Sequence, residues 1–289
     1  MKTTCIEAQG VRLFVIGSNG LIGSRLEEEI LRELTTRATV YSWEYQSKDY
    51  AKLNPALLHR FEGRNEVIFC GGSGGFSITR DACERQRKEF VRFCKSLAEE
   101  YIRPRHFTCI SSLGAIVSTH DSHYKTLIKE REEILRSAFR GIHTTIRLPS
   151  LYGHNRITKE AKGIIAVLTD DSLNNKTSRI FGRLDTSRNY LSAKSCCSAI
   201  ARLIILQPKK TRRATIDLMA TKNYTIRELC SEVTRAFRKI PLIRLLDGQA
   251  VDCESHYPRT ADGVKLELPD DVHGWICKRL QGNYQESRQ

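Results

Sequence analysis

The chain has 289 residues, 40% hydrophobic and 28% charged, which is ordinary for a globular protein and long enough for one large domain or two small ones. No run of 18 apolar residues and no apolar leader follows MKTTCIEAQG, and none of the ten cysteines forms a C-x-x-C pair. A membrane span, a secretory signal, a disulfide framework and a zinc site are therefore not expected, and a reduced, cytoplasmic protein is. The formal net charge of +14 asks for an anionic ligand, yet Lys and Arg are spread without a dense cluster and no aromatic–basic RNA motif appears. A small polyanion is favoured over nucleic acid or a membrane surface.

In chain order, short apolar runs alternate with helix-like segments. Strands are predicted at 12–16, 38–43, 66–70, 106–111 and 143–148, with helices at 20–33, 81–101 and 124–139 between them. Leu21, Ile22, Leu26 and Ile30 form the apolar stripe of the first helix. Residues 152–187 are polar and loop-like apart from 164–168. A helix returns at 195–206, and a capping-box pattern, Thr225 to Glu228, opens another at 226–238, with Ile226, Leu229, Val233 and Phe237 on its apolar side. The alternation predicts an α/β fold, a Rossmann-type doubly wound parallel sheet with a smaller C-terminal substrate-binding lobe. Residues 1–150, completed by about 186–210, are assigned to the dinucleotide-binding domain, and 151–185 with 211–289 to the lobe.

The first strand runs into GSNGLIG, with glycines at 17, 20 and 23. Gly17 allows a tight turn, Gly20 lets the backbone approach a diphosphate, and Gly23 lets the helix pack closely on the sheet. The helix N-terminus adds free N–H groups and the positive end of its dipole. Gly17, Asn19, Gly20, Leu21, Ile22 and Gly23 are thus the expected diphosphate cradle. At the end of the second strand, Glu44 can accept both adenosine ribose hydroxyls, which favours NAD. Lys48 can instead meet a 2′-phosphate, so NADP is the alternative.

Four further segments follow in order. VIFCGG at 67–72 ends in Gly71 and Gly72, FTCISSLGA at 107–115 carries Ser111 and Ser112, TTIRLPSLYGHN spans 144–155, and SRNYLSAKSCCSAIARLI spans 187–204. With the glycine turn they resemble the extended short-chain dehydrogenase/reductase family, the NAD-dependent epimerase/dehydratases that modify nucleotide sugars. The resemblance covers most of the chain. It implies a bound nicotinamide cofactor flanked by Gly71, Gly72 and Ser111, and a nucleotide-sugar substrate met by Ser150 and Arg188. It also implies a homodimer formed through a helix bundle.

The resemblance further implies a serine, here Ser112 with Ser111 as runner-up, and a tyrosine acid/base with a lysine four residues later. The segment HYKTLIKEREEIL offers Tyr124, but Ile128 stands four residues on, and the lysines are Lys125 and Lys129. Five residues turn a helix by about 140°, so Tyr124 and Lys129 meet only if Tyr124 precedes the helix or a π-bulge absorbs a residue. Tyr124 is the expected acid/base, with Lys129, or failing that Lys125, as the lysine that also holds the nicotinamide ribose. The expected activity is a 4-ketoreductase or 4-epimerase; the alternative is a catalytically silent NAD(P)-binding sensor or scaffold. His120, His123 and His154 match no ligand spacing, and no metal is expected.

Overall fold

The computed structural model describes residues 2–8, 11–34, 39–44, 65–72, 78–99, 104–114, 122–139, 141–206, 213–246 and 263–286. Its frame is one sheet built from β1 (Lys2–Ala8), β2 (Val11–Ile16), β3 (Thr39–Glu44), β4 (Asn65–Phe69), β5 (His106–Ser112), β6 (His143–Leu148), β11 (Arg213–Ala220) and β14 (Gly263–Leu268). The order across it is β14-β11-β6-β5-β4-β2-β1-β3. From β2 to β14 every neighbouring pair is parallel.

The central strands are largely buried because both faces are covered. Leu13 and Val15 of β2 point into a core shared with Leu26 and Ile30 of α1 (Leu21–Glu33) and Ile200 and Ile204 of α5 (Ala193–Leu206). Phe14 and Ile16 point the other way, into a core with Phe90 and Phe93 of α2 (Arg80–Glu99) and Leu135 of α3 (His123–Ala138). In that second core the rings of Phe69, Phe93, Phe107 and Phe139 succeed one another at centroid distances of 5.3, 5.9 and 5.5 Å. Tilted contacts of this kind add about 0.5–1.5 kcal/mol each beyond burial.

Two features depart from the expected architecture. The N-terminal residues form a strand, β1, which pairs antiparallel with both β2 and β3 and so separates them. Only two residues divide β1 from β2 in sequence, which is hairpin spacing. Ile6 enters the α1 core and Cys5 the phenylalanine core. Secondly, β11 and β14 extend the main sheet, although residues 211–289 were expected to belong to the smaller lobe. The reason lies in period-2 alternation: Ile216, Leu218 and Ala220 of β11 all reach the α1 core.

The remaining elements stand over the C-terminal ends of the parallel strands. A second sheet has the order β12-β10-β7-β8, from β7 (Ser150–His154), β8 (Ala161–Lys162), β10 (Ser187–Ser192) and β12 (Asn223–Thr225). A strand pair joins β9 (Ser178–Phe181) to β13 (Ile243–Leu246). Helices α4 (Ile164–Leu173), α6 (Ile226–Phe237) and α7 (Val272–Glu286) share a core of Tyr152, Ile165, Leu168, Leu229, Val233 and Ile276. The capping box at Thr225 and Glu228 is formed. Among the described residues no helix is long and apolar enough to cross a membrane.

Candidate functional site

The glycine turn is dictated by space. Gly17 sits at φ 86°, and a Cβ there would come within 3.0 Å of the Cys70 carbonyl oxygen. A Cβ on Gly23 would lie 2.2 Å from the Gly17 oxygen, so the first turn of α1 rests on the loop itself. Gly20 is different. Its φ of −75° suits any residue, and a Cβ there would meet only the Gly17 oxygen, at 3.3 Å. The space in front of Gly20 is open, no side chain caps α1, and no acidic residue stands in its first turn. Open N–H groups, a positive dipole end and a cradle that a Cβ would fill suit a diphosphate. The turn is held from behind: Asn155 Nδ2 donates to the Asn19 carbonyl at 3.0 Å, and Arg25 donates to the His154 carbonyl at 2.9 Å.

A cleft of about 580 Å³ opens at the C-terminal ends of β4, β5 and β6. Gly20, Leu21 and Ile22 line one end, with Gly71 and Gly72 after β4, and Ser111 and Ser112 at the end of β5. Tyr124 and Ile128 come from α3, and Ser150, Lys162 and Arg188 close the other side. These residues, from separate elements and loops, share one cavity. Lys162 pairs with Glu160 at 2.8 Å and stands just before α4, whose N-terminus carries no side-chain cap. That wall is therefore cationic.

Among the described residues, Gly17, Asn19 and Gly23 stand behind this lining, and both expected lysines lie off it. Lys129 is exposed on α3, and neither it nor Lys125 lines the cleft. The helix start explains this. Ser122 caps α3, accepting from the Lys125 N–H at 3.1 Å, so Tyr124 is already inside a regular α-helix. Neither a pre-helix position nor a π-bulge brings Lys129 round. Positions 124, 128 and 131 share a face at i, i+4 and i+7, and they hold Tyr, Ile and Arg. Glu44 lies on β3, which β1 separates from the glycine-turn strand, and its side chain is outside those described. Lys48 and His120 fall outside the described residues.

Several site residues escaped the sequence reading. Arg131 lines the cleft, is 8% exposed, donates to Gln86 Oε1 at 2.7 Å, and packs its guanidinium 5.7 Å from the Phe90 ring centroid. The heptad spacing from Tyr124 was the available signal. Beneath the cleft floor, Glu132 accepts from Ser111 Oγ at 2.6 Å and from Arg147 Nε and Nη2 at 3.0 and 2.6 Å. Asp217 stands 3.6 Å from the same guanidinium. Ser111 is thus committed to a buried carboxylate, which leaves Ser112 as the hydroxyl better suited to a ligand.

Tyr152 is fully buried and donates to Asp270 at 2.8 Å. Burial, then the Asp270 charge, pushes its phenol well above the ordinary value, so it is a structural tyrosine. Burial likewise raises Asp270. His154 pairs with Asp170 at 2.8 Å and stacks on Trp275 at 5.7 Å. Among the described residues no group of three His, Cys, Asp or Glu is arranged to hold a metal.

No protein-family model matches the chain, and neither does any curated protein sequence. Solved structures do. A UDP-glucose 4-epimerase from Thermotoga maritima, bound to UDP-glucose, matches with a TM-score of 0.67 and 14% identity, over 96% of this chain and 99% of that one. A UDP-glucuronic acid 4-epimerase from Bacillus cereus, in complex with UDP-glucuronic acid and NAD, gives 0.65 and 14% over 93% and 92%. A UDP-glucose 4-epimerase from Thermus thermophilus, in complex with NAD, gives 0.63 and 14% over 91% and 92%. The chain therefore has the fold of these epimerases along nearly its whole length.

Proposed function

We propose that the protein is an NAD-dependent epimerase or oxidoreductase acting on a nucleotide-linked sugar, of the 4-epimerase or 4-ketoreductase type. The observation that carries this is the shared cleft. The open glycine turn, the Ser112 hydroxyl, the Tyr124 phenol and the cations Lys162 and Arg188 line one cavity. Structures of the same fold hold UDP-sugars and NAD, which supports the substrate class.

A nicotinamide dinucleotide at the glycine turn supplies a hydride acceptor and donor. The chain supplies the rest. The α1 N-terminus and the backbone at Gly20 receive the cofactor diphosphate. Ser112 orients the reacting sugar hydroxyl, and Tyr124 takes its proton and returns it. Arg188 meets the substrate diphosphate as a fork, with Lys162 and the α4 N-terminus beside it. Ile128 stands where the resemblance expects lysine, so the cleft is richer in binding groups than in groups that assist proton transfer.

The test is turnover of UDP-glucose and UDP-glucuronic acid with NAD, with cofactor binding followed in parallel by nicotinamide fluorescence. Tyr124→Phe removes one hydroxyl and should lower turnover by about 10²-fold while cofactor binding persists. Ile128→Lys should raise turnover. Wild-type turnover unchanged by Tyr124→Phe would refute the assignment of Tyr124. Cofactor binding without turnover of any nucleotide sugar would replace the enzyme with a silent dinucleotide-binding protein.

A further inference from the structure

The glycine turn meets a diphosphate with backbone N–H groups and a helix dipole, and its own side chains carry no positive charge. Residues 17–23 read GSNGLIG, and Arg25, the first cation of α1, is turned back to the His154 carbonyl. A helix N-terminus offers about half an elementary charge, whereas the diphosphate of a dinucleotide is a dianion. Among the described residues the cleft lining holds no Asp or Glu and three cations, Arg131, Lys162 and Arg188. Lys162 and Arg188 stand on the far wall. Arg131 is the cation on the side of the turn.

Arg131 reaches the turn through Gly71 and Gly72. A Cβ on Gly17 would lie 3.1 Å from the Gly71 nitrogen, so turn and segment touch. Arg131 Nη1 stands 3.5 Å from the Gly71 carbonyl oxygen. A Cβ on Gly72, whose φ is 129°, would come within 2.8 Å of the same Nη1. Glycine at 72 therefore leaves the guanidinium its place at the cleft wall. The seat is fixed from below: Nη2 donates to Gln86 Oε1 at 2.7 Å, and the guanidinium carbon lies 6.0 and 5.7 Å from the ring centroids of Phe69 and Phe90. Arginine suits such a seat, because its charge is delocalised, weakly hydrated and permanent. For the same reason it does not exchange the sugar's proton, and it does not replace a lysine at 128 in that step.

We propose that Arg131 is the cationic half of the dinucleotide's diphosphate site. The turn supplies N–H groups, and Arg131 supplies the formal charge that the turn lacks. The inference rests on the dinucleotide reading of the cleft and deepens it.

Isothermal titration of NAD⁺ and ADP-ribose into the full chain tests this without recourse to activity. ADP-ribose keeps the diphosphate and lacks the nicotinamide. Arg131→Met keeps an apolar stem against Phe69 and Phe90 and removes the charge, so it should weaken both ligands by about tenfold or more. Arg131→Lys keeps a point charge and should lose only about threefold. Melting of the unliganded variants, followed by circular dichroism, separates binding from folding: a purely structural arginine lowers the melting temperature and leaves the affinity of the folded protein unchanged. Wild-type affinity should also fall by about threefold or more between about 0.05 and 0.5 M NaCl, and this reading decides the matter should Arg131→Met not fold. Unchanged affinity in a folded Arg131→Met, or wild-type affinity indifferent to salt, overturns the inference. So does a loss for NAD⁺ without a loss for ADP-ribose, which moves Arg131 to the nicotinamide end. In those three cases the wild type still binds and the dinucleotide reading stands. Failure of the wild type to bind either ligand overturns both.

Discussion

Glu132 offers the sharpest test of how the cleft floor is held. Its carboxylate is buried at 6% exposure and accepts three hydrogen bonds, two from Arg147 and one from Ser111. Removing one partner of a buried ion pair leaves an uncompensated charge, at a cost of about 3–5 kcal/mol. Asp217 remains 3.6 Å from the guanidinium in Glu132→Ala, which argues for the lower end, about 3 kcal/mol. For a protein of this size that lowers the melting temperature by about 6–12 °C. Glu132→Gln, which keeps an acceptor in the same shape, should lose roughly half as much.

The diagnostic comparison is the triple variant Glu132→Leu, Arg147→Met and Asp217→Leu, because Asp217 shares the guanidinium. Exchanging every member of a buried ion cluster for apolar residues is often neutral, so the triple variant should be more stable than Glu132→Ala. Thermal and urea unfolding, followed by tryptophan fluorescence and circular dichroism, measure all four proteins. A loss under about 1 kcal/mol in Glu132→Ala, or a triple variant as unstable as the single one, would refute the view that this carboxylate neutralises a trapped guanidinium.

His106, bonded to Thr144 Oγ1 at 2.9 Å, is pushed down to about 4 by burial and then by the charge of His143. The unfolded chain binds that proton near pH 6.5, so stability is full above pH 6.5 and falls toward pH 4, by up to about 3 kcal/mol. His106→Gln should flatten this slope in unfolding curves taken at pH 7 and pH 4.5, and an unchanged slope would assign the acid sensitivity elsewhere. The glycine turn separates fold from binding: Gly23→Ala, whose Cβ would meet the Gly17 oxygen at 2.2 Å, should destabilise the protein, as a lowered melting temperature would show. Gly20→Val should keep the wild-type melting temperature within a few degrees and lose cofactor binding, and intact binding would show that the diphosphate lies elsewhere.

The sequence is legible where local pattern and tertiary environment agree. β2, β4 and β5 carry short apolar runs covered on both faces, and α1 and α6 carry helical stripes with recognisable starts. The glycine turn is legible because steric need leaves few alternatives to glycine at 17 and 23. β1 is not, because Cys5 and Ile6 are its main apolar residues within KTTCIEA and only pairing with β2 makes it a strand. β11 and β14 pair in parallel across a long stretch of sequence, and no local signal reports such a partner. The relation between Tyr124 and Lys129 depended on where α3 begins. Ser122 as its cap puts Tyr124 inside the helix, and a one-residue difference in register decides which of Ile128 and Lys129 meets the cleft. Arg131 shares the Tyr124 face by spacing, but burial of its guanidinium against Phe69 and Phe90 cannot be read from helical spacing alone.

The distribution of charge around the cleft bears on what the site does best. Groups that hold the diphosphate of a substrate act on parts that do not change during the reaction. They lower KM without raising kcat, because they bind ground and transition states alike. In the proposed function Lys162, Arg188 and the uncapped start of α4 are groups of this kind, and all of them border the cavity. A cation one turn after the acid/base tyrosine would act on the proton in flight and so raise kcat. That position holds Ile128, which is 5% exposed. Substituting lysine there changes the one property of the cleft that separates a tight, slow enzyme from a fast one, and leaves the diphosphate contacts in place. A rise in kcat at nearly constant KM in Ile128→Lys is therefore the response expected of an epimerase-type site, whereas a pure binding site has no turnover to regain.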